Sequence, residues 1–153
     1  MRKTLMMIAV FTLTVALYGN VQAKTDGAAV YKKCSGCHKA TGVGHAGIFP
    51  PLAGSAAKLA NADRAVMIQV ALFGLKGEIK VDGKTYDGTM PAYGDQLNDE
   101  EIAAVLNFTL SSWGNDKMLA KGQKEFTAAD VKAQRGKKLT PDQVYGNRQK
   151  LKL

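Results

Sequence analysis

The chain has 153 residues, 46% of them hydrophobic, with a formal net charge of +8 and two cysteines. That length holds one domain with an appendage. The two cysteines, three residues apart, exclude a disulfide scaffold, because a bridge there would be strained and would close almost no loop. No binding motif accompanies the basic charge, which argues against nucleic acid as a partner.

Residues 1–23, MRKTLMMIAVFTLTVALYGNVQA, read as a signal peptide: a basic start at Arg2 and Lys3, an apolar run from Leu5 to about Leu17, and the small-residue pattern Val21-Gln22-Ala23. The apolar run is shorter than the ~20 residues that a spanning helix needs. The mature chain is therefore expected to begin near Lys24, outside the cytoplasm, with no stable membrane span.

From Gly27, AAVYKKCSGCH reads as a helix that leads into a cysteine-histidine motif, with Val30 and Tyr31 as packing residues. KATGVGHAGIFPPLAGS follows; its glycines and the Pro50-Pro51 pair exclude regular helix or strand. A glycine-rich loop of this kind can wrap closely around something flat and bulky. Asp63 is placed to cap the next helix, which runs to about Phe73 and stops at Gly74, with Met67, Ile68, Ala71, Leu72 and Leu75 as its buried stripe. EIKVDGKTY has a tight turn, Asp82-Gly83, between two short extended arms. A loop, TYDGTMPAYGDQ, leads to LNDEEIAAVLNFTLSSWG, the clearest helix. Asn98 is its N-cap, Glu101 completes a capping box, and Leu97 can pack on Ile102.

The remaining segment, 115–153, has weaker helix starts at Thr127 and Thr140 and little apolar content, so it is expected to lie over the core. Residues 24–113 carry nine basic and nine acidic residues, whereas 114–153 carry ten basic and four acidic. The whole mature excess of charge lies in a basic C-terminal extension, whose counterparts would be an acidic protein partner, a membrane surface or plain solvent.

CSGCH, Cys34 to His38, is compatible with a redox dithiol, half of a zinc site, or covalent haem attachment. Zinc needs about four ligands, and His45 is the one further histidine. A thioredoxin-like dithiol needs a preceding strand and a parallel sheet. Haem attachment needs only what is present: Cys34 and Cys37 about a turn apart on one side of a helix for two thioether bonds, and His38 directly after them as an iron ligand. For a sixth ligand the mature chain offers Met67, Met90 and Met118. Met67 lies on an apolar helix stripe and Met118 in polar sequence. Met90 sits in a loop, off any periodic face, before the stiffening Pro91. His45, flanked by glycine, is the alternative ligand.

CSGCH, FPPLAGS, TMPAYG and DEEIAAVLNFTLSSWGN, in that order, resemble the monohaem class I cytochromes c of bacterial periplasms, over about residues 27–114. The resemblance implies an all-α fold, helices and loops wrapped around one haem c, with domain limits 24–114 and an extension 115–153. It implies that Cys34 and Cys37 attach the haem, that His38 and Met90 are the axial iron ligands, that the Pro50 carbonyl accepts the His38 ring N–H, and that Leu52 packs on the haem. Loop stiffening and ordinary burial are the plainer explanation of Pro50 and Leu52. The implied function is one-electron transfer between redox proteins, a donor dehydrogenase and an acceptor oxidase or reductase. The alternatives are a cytochrome subunit of one periplasmic oxidoreductase complex and a haem ligand sensor with a labile methionine.

Overall fold

The computed structural model describes residues 24–153; the expected signal peptide, 1–23, lies outside them. In chain order the elements are α1 (Gly27–Tyr31), α2 (Ser35–His38), α3 (Ala56–Ala62), α4 (Arg64–Phe73), β1 (Ile79–Val81), β2 (Lys84–Tyr86), α5 (Asp99–Ser111), a 3₁₀ turn (Asn115–Met118), α6 (Ala128–Arg135) and α7 (Pro141–Gln149). The fold is mostly helical. Its one sheet among the described residues is the two-stranded antiparallel hairpin β1–β2, in the register Ile79↔Tyr86.

The local signals act where the sequence places them. The Asp63 carboxylate accepts from the Ala65 and Val66 N–H groups at 2.7 and 3.1 Å and opens α4. Gly74, at φ +77°, closes it. Asn98 and Glu101 form a reciprocal capping box at α5, and Thr127 and Thr140 do the same for α6 and α7. Asp82 and Gly83 both adopt positive φ, as a tight hairpin turn requires.

Two features differ from expectation. The helix expected to run through CSGCH is two short helices. Between them Lys33 and Cys34 donate to Val30 and Tyr31, three residues back, at 3.1 and 2.8 Å, so the chain tightens and turns before the motif. In addition, α3 follows directly on the glycine-rich loop. It packs Ala56, Ala57 and Ala60 into the interior and is separated from α4 by Asp63 alone.

The core forms where α1 crosses α5. Tyr31 stacks with Phe108 and Trp113 at centroid distances of 5.3 and 5.1 Å. Gly27 permits the crossing, since a Cβ there would lie 2.2 Å from the Ala104 carbonyl oxygen. The extension completes this core. Phe126 and Val131 are buried with it, and Val144 closes a second cluster against Leu75, Ile79 and Tyr86. Gln69, buried on α4, ties down both terminal helices: its amide donates to Gln134 at 2.9 Å and its carbonyl accepts from Asn147 at 3.0 Å. Arg64 lies over the Phe126 ring, and Arg135 holds Asp99 and the Leu97 carbonyl. The extension's eight lysines, in contrast, are all exposed.

The α1–α5 contact leaves no room at Gly27. Gly27→Ala is expected to lower the unfolding free energy by about 1–3 kcal/mol, measured by denaturant titration of the haem-loaded protein. A cost below a few tenths of a kcal/mol would show that the crossing tolerates a side chain.

Candidate functional site

Cys34 is the N-cap of the motif helix α2, which ends at His38, where Lys39 turns the backbone to φ +63°. Its one turn is closed by the Cys37 and His38 N–H groups, both donating to the Cys34 carbonyl. Two tyrosine hydroxyls hold its flanks: Tyr31 donates to the Lys39 carbonyl at 2.9 Å and Tyr93 to the Lys33 carbonyl at 3.2 Å. Burial, reinforced by the neighbouring Cys34, pushes the Tyr31 pKa up to about 12, so its phenol stays a donor. Tyr93 had no role in the sequence reading; its place after Met90 and Pro91 is the signal that could have found it.

Cys34, Cys37 and His38 border a cavity of about 390 Å³ with predominantly apolar walls. Both thiols are free and half-buried. Burial, with Cys37 nearby, raises the Cys34 pKa to about 11, so this thiol is neutral at physiological pH. His38 is 7% exposed, and its Nδ1 lies 3.0 Å from the Pro50 carbonyl oxygen. An Nδ1–H donated there leaves Nε2 as the ring's lone-pair nitrogen. Burial pushes the His38 pKa below the ordinary imidazole value, against the opposing effect of this hydrogen bond, and so favours the neutral ring.

The loop before α3 presents Pro50 and Leu52 to the same cavity. It folds back on itself through His45 N–H to the Phe49 carbonyl, at 2.8 Å, and Leu52 N–H to the Gly42 carbonyl, at 2.7 Å. Gly44 must be glycine: φ is +65°, and a Cβ would lie 2.3 Å from the Phe49 carbonyl oxygen. Asn115, 0% exposed, grips this loop from the far end of α5. Its amide donates to the Leu52 and Thr109 carbonyls at 3.1 and 2.8 Å, and its oxygen accepts from Gly54 N–H at 2.9 Å. Nothing local marks Asn115 in the sequence, because its partners in the loop are more than sixty residues away.

Met90 borders the cavity as well. It pairs with Leu75 as an isolated antiparallel bridge, N–H to carbonyl at 2.9 and 3.0 Å, so its backbone is fixed to the segment after α4. Met67 is buried in the core and also reaches the cavity wall. Met118 is 41% exposed and lies away from the cavity. His45 is exposed on the loop surface, its ring edge toward Phe49.

This arrangement disfavours the two competing uses of CSGCH. Among the described residues, no group of three or more His, Cys, Asp or Glu side chains comes together as a zinc site would require. The sheet is an antiparallel hairpin after the motif, not the parallel sheet of a thioredoxin-like site. No described helix is long and apolar enough to cross a membrane.

Residues 25–113 match the family model described as Cytochrome c. A cytochrome c-552 of Thermus thermophilus is 46% identical over 155 residues, which cover 100% of this chain and 99% of that protein. A second Thermus thermophilus cytochrome c-552 is 49% identical over 132 residues, 85% of this chain and 99% of its own length. The gluconate 2-dehydrogenase cytochrome c subunit of Pantoea cypripedii is 36% identical over 102 residues, 65% of this chain but 22% of that protein. With the fold and the cavity, these similarities establish that the chain belongs to the cytochrome c family: it is a monohaem class I cytochrome c, an electron carrier with covalently bound haem c.

Proposed function

We propose that Cys34 and Cys37 carry the thioether links to the haem, that His38 and Met90 are its axial ligands, and that the protein shuttles single electrons between redox proteins in the periplasm. The observation that supports this most is the convergence of these four side chains, from two distant stretches of sequence, on one apolar cavity. The residues suit the group. Two thiols stand at the cavity edge, a neutral imidazole has one nitrogen already committed to Pro50, and a thioether borders the same cavity.

When bound, the haem supplies the one-electron Fe(III)/Fe(II) couple. The chain's own residues set the terms of that exchange. The Pro50 carbonyl fixes the His38 tautomer and makes the imidazole a stronger donor. The soft sulfur of Met90 favours Fe(II) and so raises the reduction potential. Its backbone bridge to Leu75 would limit how far that sulfur moves when the iron changes oxidation state. With His38 and Met90 both holding the iron, no position would stay open for a substrate, which would suit a carrier rather than a catalyst. The apolar wall, including Leu52, excludes water from the couple.

The domain limits 24–114 and 115–153, and export directed by residues 1–23, belong to this proposal. So do a donor dehydrogenase and an oxidase or reductase as acceptor, met through small, transient contacts. The exposed lysines of the extension are the surface that an acidic partner would meet. The similarity to a gluconate dehydrogenase cytochrome subunit favours a second reading, service as the cytochrome subunit of one dehydrogenase. Co-purification of a larger subunit from native periplasm and membranes would select it; a cytochrome that purifies alone would select the free carrier.

Met90→Ala is expected to abolish the long-wavelength sulfur-to-iron band of the ferric protein and to lower its midpoint potential. Retention of both would remove Met90 from the ligand set. The double variant Cys34→Ala/Cys37→Ala is expected to carry no haem through a denaturing gel and to lack a cooperative thermal transition. A cooperative transition in that haem-free chain would show that the core does not depend on the prosthetic group.

A further inference from the structure

Arg148, on α7, is 6% exposed and is the one lysine or arginine in the buried class among the described residues. It borders the haem cavity. Its Nη2 donates to the Lys80 carbonyl at 3.0 Å, and no carboxylate among the described residues forms an ion pair with it. A guanidinium has five N–H donors and keeps its proton, and the Lys80 carbonyl is the one hydrogen-bond partner of its side chain among the described residues. Burial pushes its pKa down, against a smaller opposing effect of Tyr145. The other charges on the cavity border need no such partner. Lys58 and Asp82 form an ion pair with each other, and the Lys80 side chain is exposed to solvent.

Buried charges in proteins are paired, and removing one partner from such a pair is costly. An arginine fork matches a carboxylate in two parallel hydrogen bonds. Haem carries two propionate carboxylates on the edge remote from the groups that form its thioethers. We propose that Arg148 is the counter-cation of a haem propionate, so that the C-terminal extension supplies part of the haem site instead of merely covering it. This rests on the haem occupying the cavity as proposed above. It gives α7 an ionic tie to the prosthetic group in addition to the burial of Val144 one turn earlier.

The test uses the haem-loaded full chain. In the diamagnetic ferrous protein, nuclear Overhauser contacts are expected between the Arg148 guanidinium protons and a propionate methylene; their absence from the wild-type protein overturns the assignment. Removing the cation leaves a propionate uncompensated near the iron, which favours Fe(III). At a fixed applied potential, Arg148→Met is therefore expected to shift the ferrous/ferric ratio several-fold toward ferric, and Arg148→Lys to restore part of the shift. Arg135→Met, which loosens the same extension away from the cavity, is expected to lower thermal stability and leave the ratio unchanged. Equal shifts in the Arg148→Met and Arg135→Met proteins would assign the effect to loosening and overturn the proposal. The sulfur-to-iron band and gel-stable haem report the site itself. If both are intact in wild type without the Overhauser contact, the arginine assignment alone falls; if wild type lacks them, the haem site falls and takes this proposal with it.

Discussion

The hydrogen bond between His38 Nδ1 and the Pro50 carbonyl, at 3.0 Å, is the contact on which the rest of the site depends. It joins the motif helix to the glycine-rich loop, and through the tautomer it decides which imidazole nitrogen is left for a ligand's work. A proline carbonyl is a fixed acceptor only if its loop is fixed. Here the loop is held by the close passage at Gly44, by Leu52 N–H on the Gly42 carbonyl, and by two hydrogen bonds with Asn115. Asn115 in turn is bonded to Thr109 of α5, so the helix that crosses α1 also determines the position of the histidine's partner. Asn115 lies just beyond the 25–113 region that matches the family.

Short helices explain why so much cross-bracing is needed. The longest, α5, has 13 residues, and the motif helix has four. Isolated helices below ~12–15 residues are marginal in water, so these owe their stability to packing. The helices meet around a cavity, however, and an empty apolar cavity forfeits the contacts its walls would otherwise make. A bulky, flat, covalently held group that fills this space supplies those contacts as well as its redox chemistry.

The extension divides its cations by chemistry. Its arginines, Arg135 and Arg148, turn inward to backbone carbonyls and, for Arg135, to Asp99, using the planar fork that suits such contacts. Its lysines, strongly hydrated point charges, all remain at the surface. The basic excess evident from composition is therefore divided between arginines that hold the fold and lysines exposed at the surface. Full-length similarity to a Thermus cytochrome c-552 extends over this segment, which is as much a part of the molecule as the family core.

What the sequence determined alone was whatever depends on neighbours a few residues apart: the CSGCH spacing, the Asp63 cap, the capping box at Asn98, the helix starts at Thr127 and Thr140, and the Asp82-Gly83 turn. The position of Met90 in a loop, off any helical face, was legible from the proline after it. The break between α1 and α2 and the presence of α3 were not legible, since AAVYKKCSGCH and AAKLANA carry helix-compatible residues without a local signal that sets their ends. The tertiary structure alone decided the partners of Asn115, Gln69 and Arg148. Their hydrogen bonds span between about sixty and eighty residues of chain, and a polar side chain's partner across such a distance is set by how the helices pack, which no short window of sequence contains.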